Sequence, residues 1–355
     1  MFNFHKLALS NAKPQNAKIL LFTIVSFIIL FALTVLTFMP VQLAMYKVMM
    51  ASAMQQPMGG IIFLVVLAIL IPILVFVLVG YPLIAGTIYT IDNAINKNKS
   101  TFNDLFSIFK KGKYLKAIKL ALITLIFILL LLVLNILVSK VLNLGLVQLF
   151  SALQGPLSST DHALGYSLTL QIVAATLILF IQSFLYWFFA ILIVNYTLAF
   201  VKEPSNGAWT SVTRGFKGIK NGKKTWFKFY LGLLLLNLIV IILANPVSQL
   251  VSIFTGSISQ TVALTIINIV TIIVIIIRLA IYYINLLAII QYYNRDGEKI
   301  ENAQTKSKSS RSKASKVKNS VTHDTEKSKS TTHGKAEHLK AEASKTKDSI
   351  TKQDK

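Results

Sequence analysis

Six stretches of the chain are almost wholly apolar over the ~20 residues that a helix needs to cross a bilayer. They are residues 19–39, 61–90, 118–138, 168–200, a run opening at 229–243, and 262–290. In lipid every backbone amide needs a partner inside the protein, and a single chain segment meets that need only as a helix. The fold class that follows is an all-α integral membrane protein with six transmembrane helices. A cleaved signal peptide is the rival reading of residues 19–39. That run is too long for such a segment, and the nearest small-residue site, Ala51-Ser52-Ala53, lies too far beyond it. Pro72 and Pro82 are expected to kink the second run, with neighbours satisfying the carbonyls they free.

Basic residues then set the orientation. The N-terminal segment has Lys6, Lys13 and Lys18; seven basic residues lie between Lys97 and Lys119, and seven between Lys202 and Lys228. The alternate connections hold Lys47, Lys140 and, in the last, none. Positive charge is retained on the cytosolic side, so both termini are expected there. Each third of the chain reads as an inner segment, a span, an outer interfacial loop and a returning span. Three such hairpins make a pseudo-repeated bundle. In the first outer loop, residues 40–60, positions 41–45 are expected to lie as a helix in the membrane surface. The second, 139–166, has an interfacial first half at 141–153. The third begins at 245–250.

Residues 207–228 carry the clearest local pattern. Ala208, Val212, Phe216 and Ile219 recur at helical spacing, with Arg214 and Lys217 on the other side and Lys220 at the edge. An echo precedes it: Phe102, Phe106 and Phe109 fall on Val212, Phe216 and Ile219, and Lys110-Lys111-Gly112-Lys113 falls on Lys220-Asn221-Gly222-Lys223. Thr101 with Asp104 forms a capping-box pattern, and both glycines suit a helix end. The match reads as a duplicated amphipathic unit. Lys110, Lys111, Lys113, Arg214, Lys217, Lys220, Lys223 and Lys224 are the candidate inner-leaflet contacts for anionic lipid.

Composition narrows the chemistry. Asp92, Asp104, Asp161 and Glu203 are the only acids before residue 295, and there is no cysteine. A carboxylate-rich catalytic or metal site and any thiol chemistry are thereby disfavoured. No phosphate-binding glycine loop, dinucleotide fingerprint or His-Glu-x-x-His pattern occurs. Ser158, Ser159, Asp161 and His162 cluster in the second outer loop and read as a polar loop rather than a hydrolytic site. No cofactor is expected. Arg278 is the one ionisable residue deep in an apolar run, with no acid between residues 262 and 290. It is the candidate contact for a lipid phosphate, with snorkelling to the inner interface as its rival.

After residue 294 there is no aromatic residue, and Lys, Ser, Thr and Ala dominate. The reading is a six-span membrane domain, 1–295, followed by a disordered basic tail, 296–355. The tail tethers anionic lipid or an acidic partner, or simply solubilises; specific nucleic-acid recognition is not expected. The excess of Lys over Arg fits a low-GC bacterium, hence its cytoplasmic membrane. Partners are membrane lipids, anionic ones foremost, and a membrane or cytosolic protein. Three functions compete: a non-enzymatic scaffold, accessory or lipid-interacting protein; a permease-like subunit working with a separate ATPase; and an enzyme acting on lipid. Spans without the internal polar residues of a substrate path weigh against the second.

The two basic units, each running into a span, resemble a broad group of poorly characterised bacterial six-helix membrane proteins. The group includes the membrane domain of some glycerophosphodiester phosphodiesterases. The resemblance covers residues 1–293 and implies architecture. The catalytic domain that follows in those phosphodiesterases has no counterpart in the tail here, so that activity does not carry over.

Overall fold

The computed structural model describes residues 1–158, 163–220, 225–255 and 258–296. The tail from 297 onward, the Ser159–His162 part of the polar cluster, and Lys223 and Lys224 lie outside the described residues. So do the side chains of Ser158 and Lys220.

Helix α1 is Asn3–Ala12, and a 3₁₀ turn at Lys13–Gln15 leads into α2, Asn16–Ala53. Helices α3, Gly59–Val75, and α4, Tyr81–Ile95, are joined by a π turn at Phe76–Gly80. A 3₁₀ helix at Phe102–Phe109 precedes α5, Tyr114–Ser158, and α6, Ala163–Lys202. Then come α7, Ala208–Lys220, and α8, Thr225–Ile242. A π turn at Leu243–Val247, α9, Ser248–Phe254, and α10, Gln260–Asp296, complete the described residues, which contain no strand. Among the described residues six helical segments are long and apolar enough to cross a membrane, as the sequence requires.

The second run departs from regular α-helix just before Pro82, whereas Pro72 sits inside the unbroken α3. Pro82 lacks an N–H, so the Leu78 carbonyl four residues earlier loses its helical donor. The backbone widens into the π turn there, and the Tyr114 hydroxyl donates to the Leu78 carbonyl at 3.0 Å. A neighbouring span thus satisfies the group that proline released.

The outer loops are corrected by the structure. Residues 41–45 form no separate surface helix: α2 runs through Pro40 to Ala53, and only Met54–Met58 separates it from α3. At 1.5 Å per residue its 38 residues extend about 57 Å, well beyond a ~30 Å hydrocarbon layer. The second connection is likewise helical, from α5 through Ser158 and again from Ala163. The reason is local: Leu, Ala, Met, Gln and Lys after Pro40 are strong helix formers, and a single proline removes only one hydrogen bond.

The three basic segments gather at one end of the bundle. Gln15 Nε2 donates to the Asn98 carbonyl at 2.7 Å, and the Ser100 N–H donates to Gln15 Oε1 at 2.9 Å. Lys116 Nζ donates to the Pro204 and Ser205 carbonyls at 2.9 and 2.8 Å. Asp92, buried, accepts from Asn294 Nδ2 at 2.6 Å and pairs with Lys202 at 3.5 Å. Lys202 also donates to Asn294 Oδ1. The large buried side chains, Tyr81, Tyr196, Tyr292, Phe200, Phe229 and Leu120 among them, pack next to this end. Towards the other end apolar side chains point outward: Leu36, Phe63, Val141 and Ile276 are all exposed. Lipid tails are as apolar as leucine, so nothing drives those faces together.

The two basic units differ from each other. Thr101 and Asp104 make the capping box, with the Thr101 N–H donating to Asp104 Oδ2 at 2.8 Å, but the helix that follows is 3₁₀. Its period of three lines up Leu105 and Ile108, both buried; Phe106 lies off that row and Phe102 at its start, and both are half-exposed. Gly112 ends the turn after it at φ +89°, a conformation suited to glycine. α7 is a regular α-helix whose Val212 and Ile219 are buried. The same apolar spacing has become two kinds of helix, each with its own tertiary contact. Gly86 brings α4 so close to the first unit that a Cβ there would stand 1.8 Å from the Leu105 carbonyl oxygen. α7 instead lies on α6 through Gly215, where a Cβ would meet Tyr196 Cβ at 2.6 Å.

Candidate functional site

Arg278 lies on α10 among Ile277 and Leu279, and Tyr282 follows one helical turn later. That spacing puts both side chains on one face. Arg278 Nε donates to the Tyr282 hydroxyl at 3.2 Å, and its guanidinium carbon lies 5.3 Å from the Tyr282 ring centre. The ring is held on its other flank by Trp187 of α6, edge to face at 5.8 Å. Arginine and aromatic ring thus attract through charge and quadrupole as well as hydrogen bonding.

This pair borders a cleft of about 600 Å³ between α6, α8 and α10. Its polar rim comprises Gln182, Ser183 and Tyr186 from α6, Asn237 from α8, and Arg278. Leu179, Val240 and Ile241 supply apolar wall. Side chains of α5 brace the rim from behind: Gln182 Nε2 donates to Ser139 Oγ at 2.8 Å and Asn135 Nδ2 to the Tyr186 hydroxyl at 3.0 Å. A concave, mostly apolar space with a few fixed polar groups has the character of a small-ligand site.

No carboxylate stands within 4 Å of Arg278 among the described residues. Two acids at the span ends are engaged elsewhere, Asp92 with Lys202 and Glu203 with Arg214. The Leu78 carbonyl near the proline kink is taken by Tyr114.

The basic units present a different picture. Lys110 and Lys111 are exposed, while Lys113 places its ammonium 5.9 Å from the Tyr89 ring centre. Arg214 is paired with Glu203, and Lys217 is exposed on the same helix. The apolar face of α7 is used largely on α6, so this helix rests on protein. Phe216 remains half-exposed beside Phe127, and Trp209 is exposed.

Read from sequence, the spans lack the internal polar residues of a substrate path; that reading did not single out the polar side chains that the structure buries within them. Asn195 and Asn285 are fully buried. Tyr81 hydrogen-bonds Thr197 at 2.8 Å and Thr124 hydrogen-bonds Tyr196 at 2.6 Å within the core. Both amide atoms of Asn195 lack a partner among the described residues, and Gly218 of α7 sits directly over it. The available signal was spacing: Asn135 with Ser139, and Gln182 with Tyr186, are i, i+4 polar pairs within apolar runs.

No protein-family model, curated protein or solved structure matches the chain.

Proposed function

We propose that this multi-pass membrane protein is a non-enzymatic, lipid-interacting accessory of a bacterial cytoplasmic membrane, and that Arg278 holds a lipid phosphate in the α6–α8–α10 cleft. The observation that carries the reading is a guanidinium on the rim of an amphiphile-sized cleft with no acid beside it. Guanidinium presents five donors in a planar fork, and Tyr282 engages one. A phosphate takes the rest bidentately, while acyl chains follow the apolar wall. Arg278→Lys keeps the charge and loses the fork, so purified protein should retain anionic lipid several-fold less well, as read by native mass spectrometry. Arg278→Leu should lose that lipid while staying inserted. Equal lipid retention in parent and both variants means that the arginine only snorkels.

Kinship with the six-helix membrane proteins, and cytosolic location of both termini, belong to the same proposal. The convergence of the described parts of the three basic segments before the tail on one end of the bundle supports the orientation. Reporter fusions after Lys111 should signal inside and fusions after Gln56 outside; one reversal sinks the orientation.

The permease-like reading has one observation in its favour. The buried hydroxyls and amides at Tyr81, Thr124, Asn195 and Thr197 give the bundle a polar interior, and α7 is seated over it. An ATPase that binds α7 would act directly on α6. Stoichiometric co-purification of an ATPase from membranes decides for that reading; its absence after gentle extraction decides against it.

A further inference from the structure

A second concave surface lies at the basic end, away from the Arg278 cleft. It is a groove of about 530 Å³ between the turn that opens α2 and the connection after α4, lined by Lys13, Lys18, Lys97 and Lys99. Its walls come from segments more than eighty residues apart, and Gln15 fastens them through both ends of its amide. Ser100 is fully buried and its hydroxyl donates to the Thr90 carbonyl at 3.0 Å, which anchors that wall to α4. Lys97 is held at φ +62°, a left-handed conformation costly for a non-glycine residue. Hydrogen bonds on either side enforce it, from the Lys97 N–H to the Ala94 carbonyl and from the Asn98 N–H to the Asn93 carbonyl.

Among the described residues the ion pairs are Lys202–Asp92 and Arg214–Glu203, so none of these four lysines has a carboxylate partner there. Four like charges around one braced groove repel one another and favour an anion between them. We propose that the groove binds a phosphate-bearing anion, and that its source is a phospholipid headgroup. The apolar surface beside it argues for the lipid. Lys18 Nζ lies 5.8 Å from the Phe22 ring centre, and Phe22 meets Phe102 at 5.7 Å. Phe102 meets Phe106 at the same separation, and both are half-exposed, as is Leu21. Phe102, Phe106 and Leu21 offer acyl chains exposed apolar surface, while Phe22 itself is buried.

The test uses the full-length protein in neutral detergent, with dioleoyl phosphatidic acid, phosphatidylcholine and glycerol 3-phosphate as probes. The triple variant Lys13→Gln, Lys97→Gln, Lys99→Gln should bind phosphatidic acid roughly tenfold or more weakly. The matching Lys→Arg triple should bind it as the parent does, which separates lost charge from lost fold. Lys47→Gln with Lys140→Gln, at the far ends of the spans, should change nothing, and the Gln triple made in an Arg278→Leu background should show the same further loss, which separates this groove from the cleft. Phosphatidylcholine should bind all forms alike. Undiminished phosphatidic acid binding by the Gln triple overturns the site. Glycerol 3-phosphate binding as tightly as the lipid, and lost in the same triple, overturns the lipid source and assigns the groove to a soluble phosphate.

Discussion

Gly86→Ala should be the most damaging single-methyl change in the protein. The added carbon would stand 1.8 Å from the Leu105 carbonyl oxygen and 2.6 Å from its carbonyl carbon. Both are backbone atoms of a helix whose Leu105 and Ile108 side chains are buried, so no flexible side chain can yield. Forced overpacking of a dense interior costs typically 1–3 kcal/mol and occasionally more, and this contact belongs at the upper end. Separation of α4 from the Phe102–Phe109 helix would also expose the Phe22–Leu83–Leu105 cluster. The expected result is a large fall in the thermal midpoint of detergent-purified protein, with loss of yield. Gly59→Ala and Gly145→Ala are the controls. Each lies in or at the start of a helix with nothing within 4 Å of the added carbon. They should be neutral or slightly stabilising, because alanine is the better helix former. A Gly86→Ala protein that melts with these controls would falsify the close packing of α4 on the first basic unit.

The second large effect belongs to Asp92. Its carboxylate is buried and collects three partners: Asn294 at 2.6 Å, Asn96 at 2.9 Å and Lys202 at 3.5 Å. These tie α4 to the ends of α6 and α10. Asp92→Ala leaves an ammonium near a low-dielectric core without its carboxylate. Breaking a buried pair from one side costs about 3–5 kcal/mol, and the lower figure applies because the Lys202 side chain is 26% exposed. Asp92→Asn retains an acceptor for both amides and should lose less. The informative variant is the double change Asp92→Leu with Lys202→Met. Removing both charges together avoids the orphaned ion, so the double variant should melt closer to the parent than Asp92→Ala does. Additive losses in the two single and the double variant would show that the pair is not coupled.

The membrane character of the chain was legible without a structure. An apolar run of span length has one solution in lipid, and lysine asymmetry is a count along the chain; neither depends on what touches what. The Thr101–Asp104 capping box and the glycine that ends its turn were legible for the same reason, since their partners lie within a few residues. Proline was read half correctly. A π turn ends just before Pro82, yet Pro72 and Pro40 interrupt nothing, because one missing hydrogen bond does not outweigh the further residues disposed to helix.

What only tertiary structure decided involves residues far apart in the chain. Identical spacing in the two basic units gave no hint that one would be 3₁₀ and the other α, or that the first would pack on Gly86 and the second on Tyr196. Arg278 was conspicuous in sequence, but its Tyr282 and Trp187 neighbours and the cleft they border are products of packing among α6, α8 and α10. The diversion of Asp92 to Lys202 and of Glu203 to Arg214 was equally invisible. So was the meeting of Lys13 and Lys18 with Lys97 and Lys99, which depends on one glutamine reaching across two connections. Local sequence determines which segments are helical and which end is basic. Long-range contact determines which charges end up paired and which stand without a carboxylate among the described residues.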